Sequence, residues 1–250
     1  MIGSVLAEIR KVSSTRLWIG LAIGGALMAG VGAVVLFIVA DTPEGRASGL
    51  EPIETTRHVG DLVLSGAVMS AFCLVLGATM ATSEYRYGTA AITALATPSR
   101  ARLLTAKMVA AAPIGFALGI LGGLVPLLIA AIAFTVRGDA FPYGNELLVD
   151  VLLVALQCTY AAALAVAVGQ AIRSQLVAIL GLLGWLFIAE SVAVGLLPDV
   201  ATWMPFAGAQ NAFGAESDAL LSKPAGAALM LAYLVSGWLV AWWLDRRRDV

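Results

Sequence analysis

The sequence predicts an all-α integral membrane protein built from six transmembrane helices. Of its 250 residues, 60% are hydrophobic and 12% charged, whereas soluble domains carry about 25% charged residues. The mean hydropathy is +0.94. Six apolar stretches each reach the roughly 20 residues that cross about 30 Å of hydrocarbon. They are Leu17 to Ala40, Leu62 to Thr82, Met108 to Val136, Leu147 to Ala171, Leu176 to Leu197 and Ala225 to Leu244, and together they read as one transmembrane domain over 1–250.

Residues 1–16 precede the first span. Val5, Leu6, Ile9 and Val12 share one side of a helix and Glu8 and Lys11 another, a pattern that suits an amphipathic helix lying at the membrane interface. A signal peptide is not the expected reading, since the apolar run from Leu17 is longer than a signal core of about 7–15 residues. Within the first span, Gly20 and Gly24, and Ala22, Ala26 and Gly30, repeat small residues at a spacing that lets helices pack closely.

Between the second and third spans lies a connector, 84–100, containing Glu84-Tyr85-Arg86-Tyr87-Gly88-Thr89 and Thr97-Pro98-Ser99-Arg100. Gly88 and Thr89 can open a short helix, the Thr hydroxyl capping free amides, and Pro98 cannot continue one. Ile92 and Leu95 are three apart and share a face. This peg is too small to hold lipid strongly by itself and fits a protein groove. The plainer reading is an amphipathic connector resting on headgroups.

The third span carries Pro113, Pro126, Gly115, Gly119, Gly122 and Gly123 in nearly thirty residues and is expected to be tilted or broken. The loop 198–223 holds Trp203, Met204, Pro205, Phe206 and Phe213, aromatic content that favours interfacial depth. Basic residues orient the whole. Arg10, Lys11, Arg16, Arg86, Arg100, Arg102, Lys107, Arg173, Arg246, Arg247 and Arg248 fall on one side, against Arg46, Arg57, Arg137 and Lys223 on the other. Eleven against four puts both termini and the connector in the cytoplasm.

Several chemistries are disfavoured. A net charge of -1, with basic residues spread for orientation, gives no nucleic-acid patch. Cys73 and Cys158 fall inside apolar spans and read as packing residues. His58, the single histidine, reads as part of a polar outer loop, so neither a metal site nor a nucleophile–base pair can be assembled at membrane depth. A phosphate-binding loop needs Gly directly before Lys, and the lysines follow Arg10, Ala106 and Ser222. No cofactor is expected on this chain, and no enzyme activity. Glu190 is the one acid clearly inside a span, and intramembrane acids are functional suspects. The favoured reading is nonetheless a structural carboxylate near the outer interface, capped by Ser191 or paired with a loop residue.

The connector, with Leu104 and Lys107 after it, resembles that of the permeases of type 2 ATP-binding-cassette (ABC) transporters, in which an E-x-R-x-G-T segment, a Thr-Pro turn and a following Lys mark the link between the second and third of six spans. The likeness extends to Glu8 and Lys11, to Trp203-Met204-Pro205-Phe206 and to the basic end, although Ala90, Ala91 and Ala96 make the helix blander than the family's Leu-rich form. The resemblance implies a permease that pairs with a second permease, the same or a homologous chain, in the cell membrane, with two separate cytoplasmic ATPase subunits holding the ATP and Mg. It implies a coupling helix in which Glu84 and Arg86 brace the connector, Gly88 and Thr89 start it, Ile92 and Leu95 enter the ATPase groove, and Pro98 and Arg100 end it. The family's path runs along the second and fifth spans, which makes Met69, Phe72, Leu76, Met80, Leu183 and Phe187 candidate lining residues. A lining of Met and aromatics suits efflux of a drug or other lipophilic compound. Export of a lipid or glycan intermediate is the alternative within this architecture. An ion-driven secondary carrier would show related halves around midplane charges, an intramembrane protease would need a base beside Ser65, and a non-transporting anchor would share the connector.

Overall fold

The computed structural model describes residues 2–40, 42–43, 45, 55–96, 99–208 and 221–248. Among them there is no strand, and six helices are long and apolar enough to cross a membrane. Backbone polar groups inside hydrocarbon must bond within their own segment, which selects helices for such sequences.

The elements are α1 (Ile2–Ser13), α2 (Leu17–Ala40), α3 (Thr56–Arg86), α4 (Ala90–Ala96), α5 (Arg100–Arg137), α6 (Glu146–Ile172), α7 (Gln175–Leu196) and α8 (Lys223–Arg247). The predicted bounds of α2 and α6 agree with these within a residue. Those of α3 and α5 do not, because both helices continue beyond their apolar runs.

α3 begins at Thr56 because the Thr55 hydroxyl oxygen accepts the His58 backbone N–H at 3.1 Å, an N-cap of the usual kind. His58 therefore sits in the first turn of a helix, and the loop expected there is corrected. Its ring is fully buried, 6.3 Å from that of Phe37, and neither ring nitrogen has a hydrogen-bond partner. Phe37, Phe134 and Phe141 continue this aromatic cluster through edge-on contacts.

α5 overturns one of the two forms expected of it, the break. It is one continuous helix of 38 residues, about 57 Å long at 1.5 Å per residue, and is not broken. Pro113 and Pro126 each remove one backbone bond, but both stay within the helix and the buried ring of Pro126 packs among its neighbours.

Close approach of backbones fixes the centre. α3 makes a single tighter turn at Gly66–Val68, where a Cβ on Gly66 would lie 2.1 Å from the Gly122 carbonyl oxygen of α5. One on Gly77 would lie 2.2 Å from the Ala162 carbonyl oxygen of α6. No larger residue fits either crossing, so these two glycines set the spacing of α3, α5 and α6. α6 is the central helix, with 72% of its apolar window buried against 6% for the last helix. α2, α7 and α8 lie outside and present apolar faces outward. Gly24 and Gly25 of α2 receive the rings and thioether of Phe72 and Met69, while no atom approaches Gly20.

Candidate functional site

At one end of the bundle, charged side chains from α1, α3 and α5 meet in a buried cluster. Glu8 and Lys11 are a turn apart on α1, and Lys11 Nζ lies 2.6 Å from Glu8 Oε1 and 2.7 Å from Glu84 Oε1. The other Glu84 oxygen is 2.9 Å from Lys107 Nζ. Lys107 is fully buried and also donates to the Met80 carbonyl at 3.4 Å. Glu84 thus joins the amphipathic helix, the end of α3 and the start of α5. Two carboxylates balance two ammonium groups, the condition under which charges tolerate such burial. Burial alone would lower the Lys11 pKa, but hydrogen bonds from its ammonium to Glu8 and Glu84 outweigh this and hold it above the ordinary lysine value.

The connector departs from this cluster. Gly88 takes φ +69°, a left-handed conformation that favours glycine, and this turns the chain out of α3. The Thr89 N–H donates to the Glu84 carbonyl at 2.9 Å, and the Thr89 carbonyl accepts from Thr93 N–H at 3.1 Å, which starts α4. Ile92 is 68% exposed and Leu95 85%, so the two apolar side chains of the peg stand clear of their own chain. Pro98 lies outside the described residues. Ser99 caps α5 by accepting the Arg102 N–H at 3.3 Å. Arg100 opens α5, where the connector ends; its guanidinium donates to the carbonyls of Asp245 and, at 2.7 Å, Arg248. Arg86 donates to Gln175 Oε1 at 3.0 Å.

A second polar cluster lies beside the first and was not anticipated. Asp245 of α8 is buried, 2.8 Å from Arg173 Nη2 and 2.7 Å from Gln170 Nε2. The Gln170 amide also reaches the Tyr85 hydroxyl at 2.7 Å, and the Arg173 guanidinium lies over the Tyr85 ring. These bonds tie the ends of α3, α6 and α8. The signal was one acid, Asp245, in an otherwise basic tail, and one amide, Gln170, near the end of an apolar helix.

Glu190 stands at the opposite end, just after a π-helical turn at Trp185–Ala189. One carboxylate oxygen accepts from Trp185 Nε1 at 2.8 Å and from Phe206 N–H at 3.2 Å, and the other accepts from Ala207 N–H at 2.7 Å. The buried Phe206 ring packs on Tyr160, whose hydroxyl donates to the Pro205 carbonyl at 3.3 Å. Glu190 therefore pairs with the loop, as the favoured structural reading expects, and the donors are Trp185, Phe206 and Ala207 where Ser191 was the other candidate.

The candidate lining residues divide. Met69, Leu76 and Met80 are buried in the chain's own core, Phe72 packs on Gly24 and Gly25, Leu183 is half-buried, and Phe187 is 55% exposed. Cys73 and Cys158 pack side by side across α3 and α6 as free thiols. Among the described residues no group of three or more His, Cys, Asp and Glu side chains is gathered as a metal ion would require.

No curated protein matches the chain. A model of the family described as a protein of unknown function (DUF2705) matches residues 26–250, all but α1 and the first part of α2, and the chain belongs to that family.

Proposed function

We propose that this chain is the membrane-spanning permease subunit of an ABC exporter, with α4 as the coupling helix on which a separate cytoplasmic ATPase docks. The observation that carries this reading is the pairing of an exposed peg with a buried brace. Ile92 and Leu95 project from α4, while its base is tied through Glu84 to Lys107 and Lys11. A push on α4 would reach α3 and α5 together, because the ion pair joins the end of one to the start of the other. Packed helices pass such a displacement on as rigid bodies.

In this reading the excess of basic residues at the connector end places that end and both termini in the cytoplasm. A second permease covers part of the apolar surface left outward by α2, α7 and α8, and two ATPase subunits supply ATP and Mg. Transport would be efflux of a lipophilic compound along the interface of the two permeases. Leu183 and Phe187 are the candidate lining residues with surface available to such a path. Glu190 has its acceptors filled by backbone amides and an indole, which favours a structural role over proton or cation carriage.

The test is co-expression with an ABC ATPase from the same cell, measuring co-purification and ATPase rate for the wild type and for an Ile92→Asp, Leu95→Asp double variant. Capture by the wild type and loss in a folded variant is expected. Equal behaviour of the two would leave α4 as a surface loop and overturn the reading.

A further inference from the structure

Between the end of α3 and the turn joining α6 to α7 lies a cleft of about 580 Å³, within the 300–1,000 Å³ range typical of small-molecule sites. Its polar side is formed by Arg86, Arg173 and Ser174, and its apolar side by Leu176 and Ile179. We propose that this cleft binds an anionic phospholipid, the phosphate between Arg86 and Arg173 and an acyl chain along Leu176 and Ile179. The proposal requires that the chain lie in a membrane and does not depend on the ATPase reading.

Charge selects the occupant. Arg86 is exposed, and its bonds among the described residues are to neutral groups, Gln175 Oε1 and the Tyr87 ring. Arg173 shares its charge with Asp245 at 2.8 Å, which fixes the guanidinium in place. The cationic side of the cleft is therefore carried by Arg86, with the Arg173 guanidinium held in place beside it. Basic pockets between helices at the cytoplasmic side are the usual recognition sites for anionic headgroups.

The apolar side selects a lipid over a free anion. Leu176 is 69% exposed, and Val177 and Leu180 continue the same outward apolar surface of α7. The cleft therefore opens from a cationic mouth onto a face suited to hydrocarbon. A nucleotide or inorganic phosphate would use the arginines and leave that face uncovered.

The experiment titrates the delipidated full-length protein in non-ionic detergent with dioleoylphosphatidylglycerol or dioleoylphosphatidylcholine and counts bound lipid by native mass spectrometry. Phosphatidylglycerol should bind more tightly, and Arg86→Gln should weaken it about fivefold, the effect of one basic residue near a headgroup, while leaving phosphatidylcholine unchanged. Ile179→Asp should weaken both lipids, with folding checked by its thermal unfolding midpoint. Equal affinity for the two lipids, or no change in Arg86→Gln, would overturn the site. So would displacement of phosphatidylglycerol by equimolar glycerophosphoglycerol or inorganic phosphate, since the chains would then contribute nothing. If Arg86→Gln abolished capture of an ATPase and left lipid binding intact, the cleft would be a protein contact and the proposal would fail.

Discussion

Glu84 and Glu190 are both buried carboxylates, 8% and 4% exposed, yet they are held by opposite means. Glu84 is satisfied by ammonium groups from two other helices, Glu190 by neutral N–H donors from its own helix and the loop that follows. A carboxylate held by distant charges ties separate elements together. One held by nearby amides shapes a single segment. The two residues thus mark the end of the molecule where helices are coupled and the end where a loop is fastened.

The largest break in this comparison is Glu84→Gln. It leaves Lys107 fully buried without its counter-charge, a loss of about 3–5 kcal/mol when one partner of a buried pair is removed. The thermal unfolding midpoint in detergent should fall sharply and recover in Glu84→Leu, Lys107→Met, which removes both charges. Failure of the double variant to recover would show that the pair is not what holds α3 to α5.

Glu190→Gln should cost less, about 1–3 kcal/mol for buried donors left unpaired, because the amide can still accept one bond. The effect should be local, seen as faster amide hydrogen exchange at Phe206 and Ala207. Uniform exchange across the chain would instead make Glu190 a tie between elements, like Glu84.

Lys11 gives the smallest effect. Its side chain is half exposed, so Lys11→Arg, which keeps a cation between the buried Glu8 and Glu84, should cost below about 1 kcal/mol after solvent screening. Its pKa is raised in the folded chain, so its contribution to docking α1 is complete below the ordinary lysine value of 10.5 and is lost as pH rises through the raised value. Proteolysis of α1 should therefore accelerate only in strongly alkaline solution. Release of α1 near neutral pH would contradict this.

Much of the frame was legible in the sequence because apolar runs report burial in hydrocarbon directly. The bounds of α2 and α6 followed from their runs. α3 was misread at its start because Thr56, Arg57, His58 and Asp61 make the first turns polar, although Thr55 caps them. The site was legible only in part. Glu8 and Lys11 can be paired from their spacing on one helix. Lys11 with Glu84, or Gln170 with Asp245, cannot, because those partners are more than seventy residues apart. Periodicity tells which face of a helix is apolar, not which polar side chain of another helix will sit across from it.

The central claim is that α4 is a docking peg. A photo-crosslinking residue at Leu95, which is 85% exposed, tests it most directly when compared with one at Leu156, 49% exposed on the apolar face of α6. In cells containing the ATPase, the Leu95 probe should crosslink to the ATPase and the Leu156 probe should not. Crosslinking from both positions, or from neither while this chain and the ATPase still co-purify, would contradict the account.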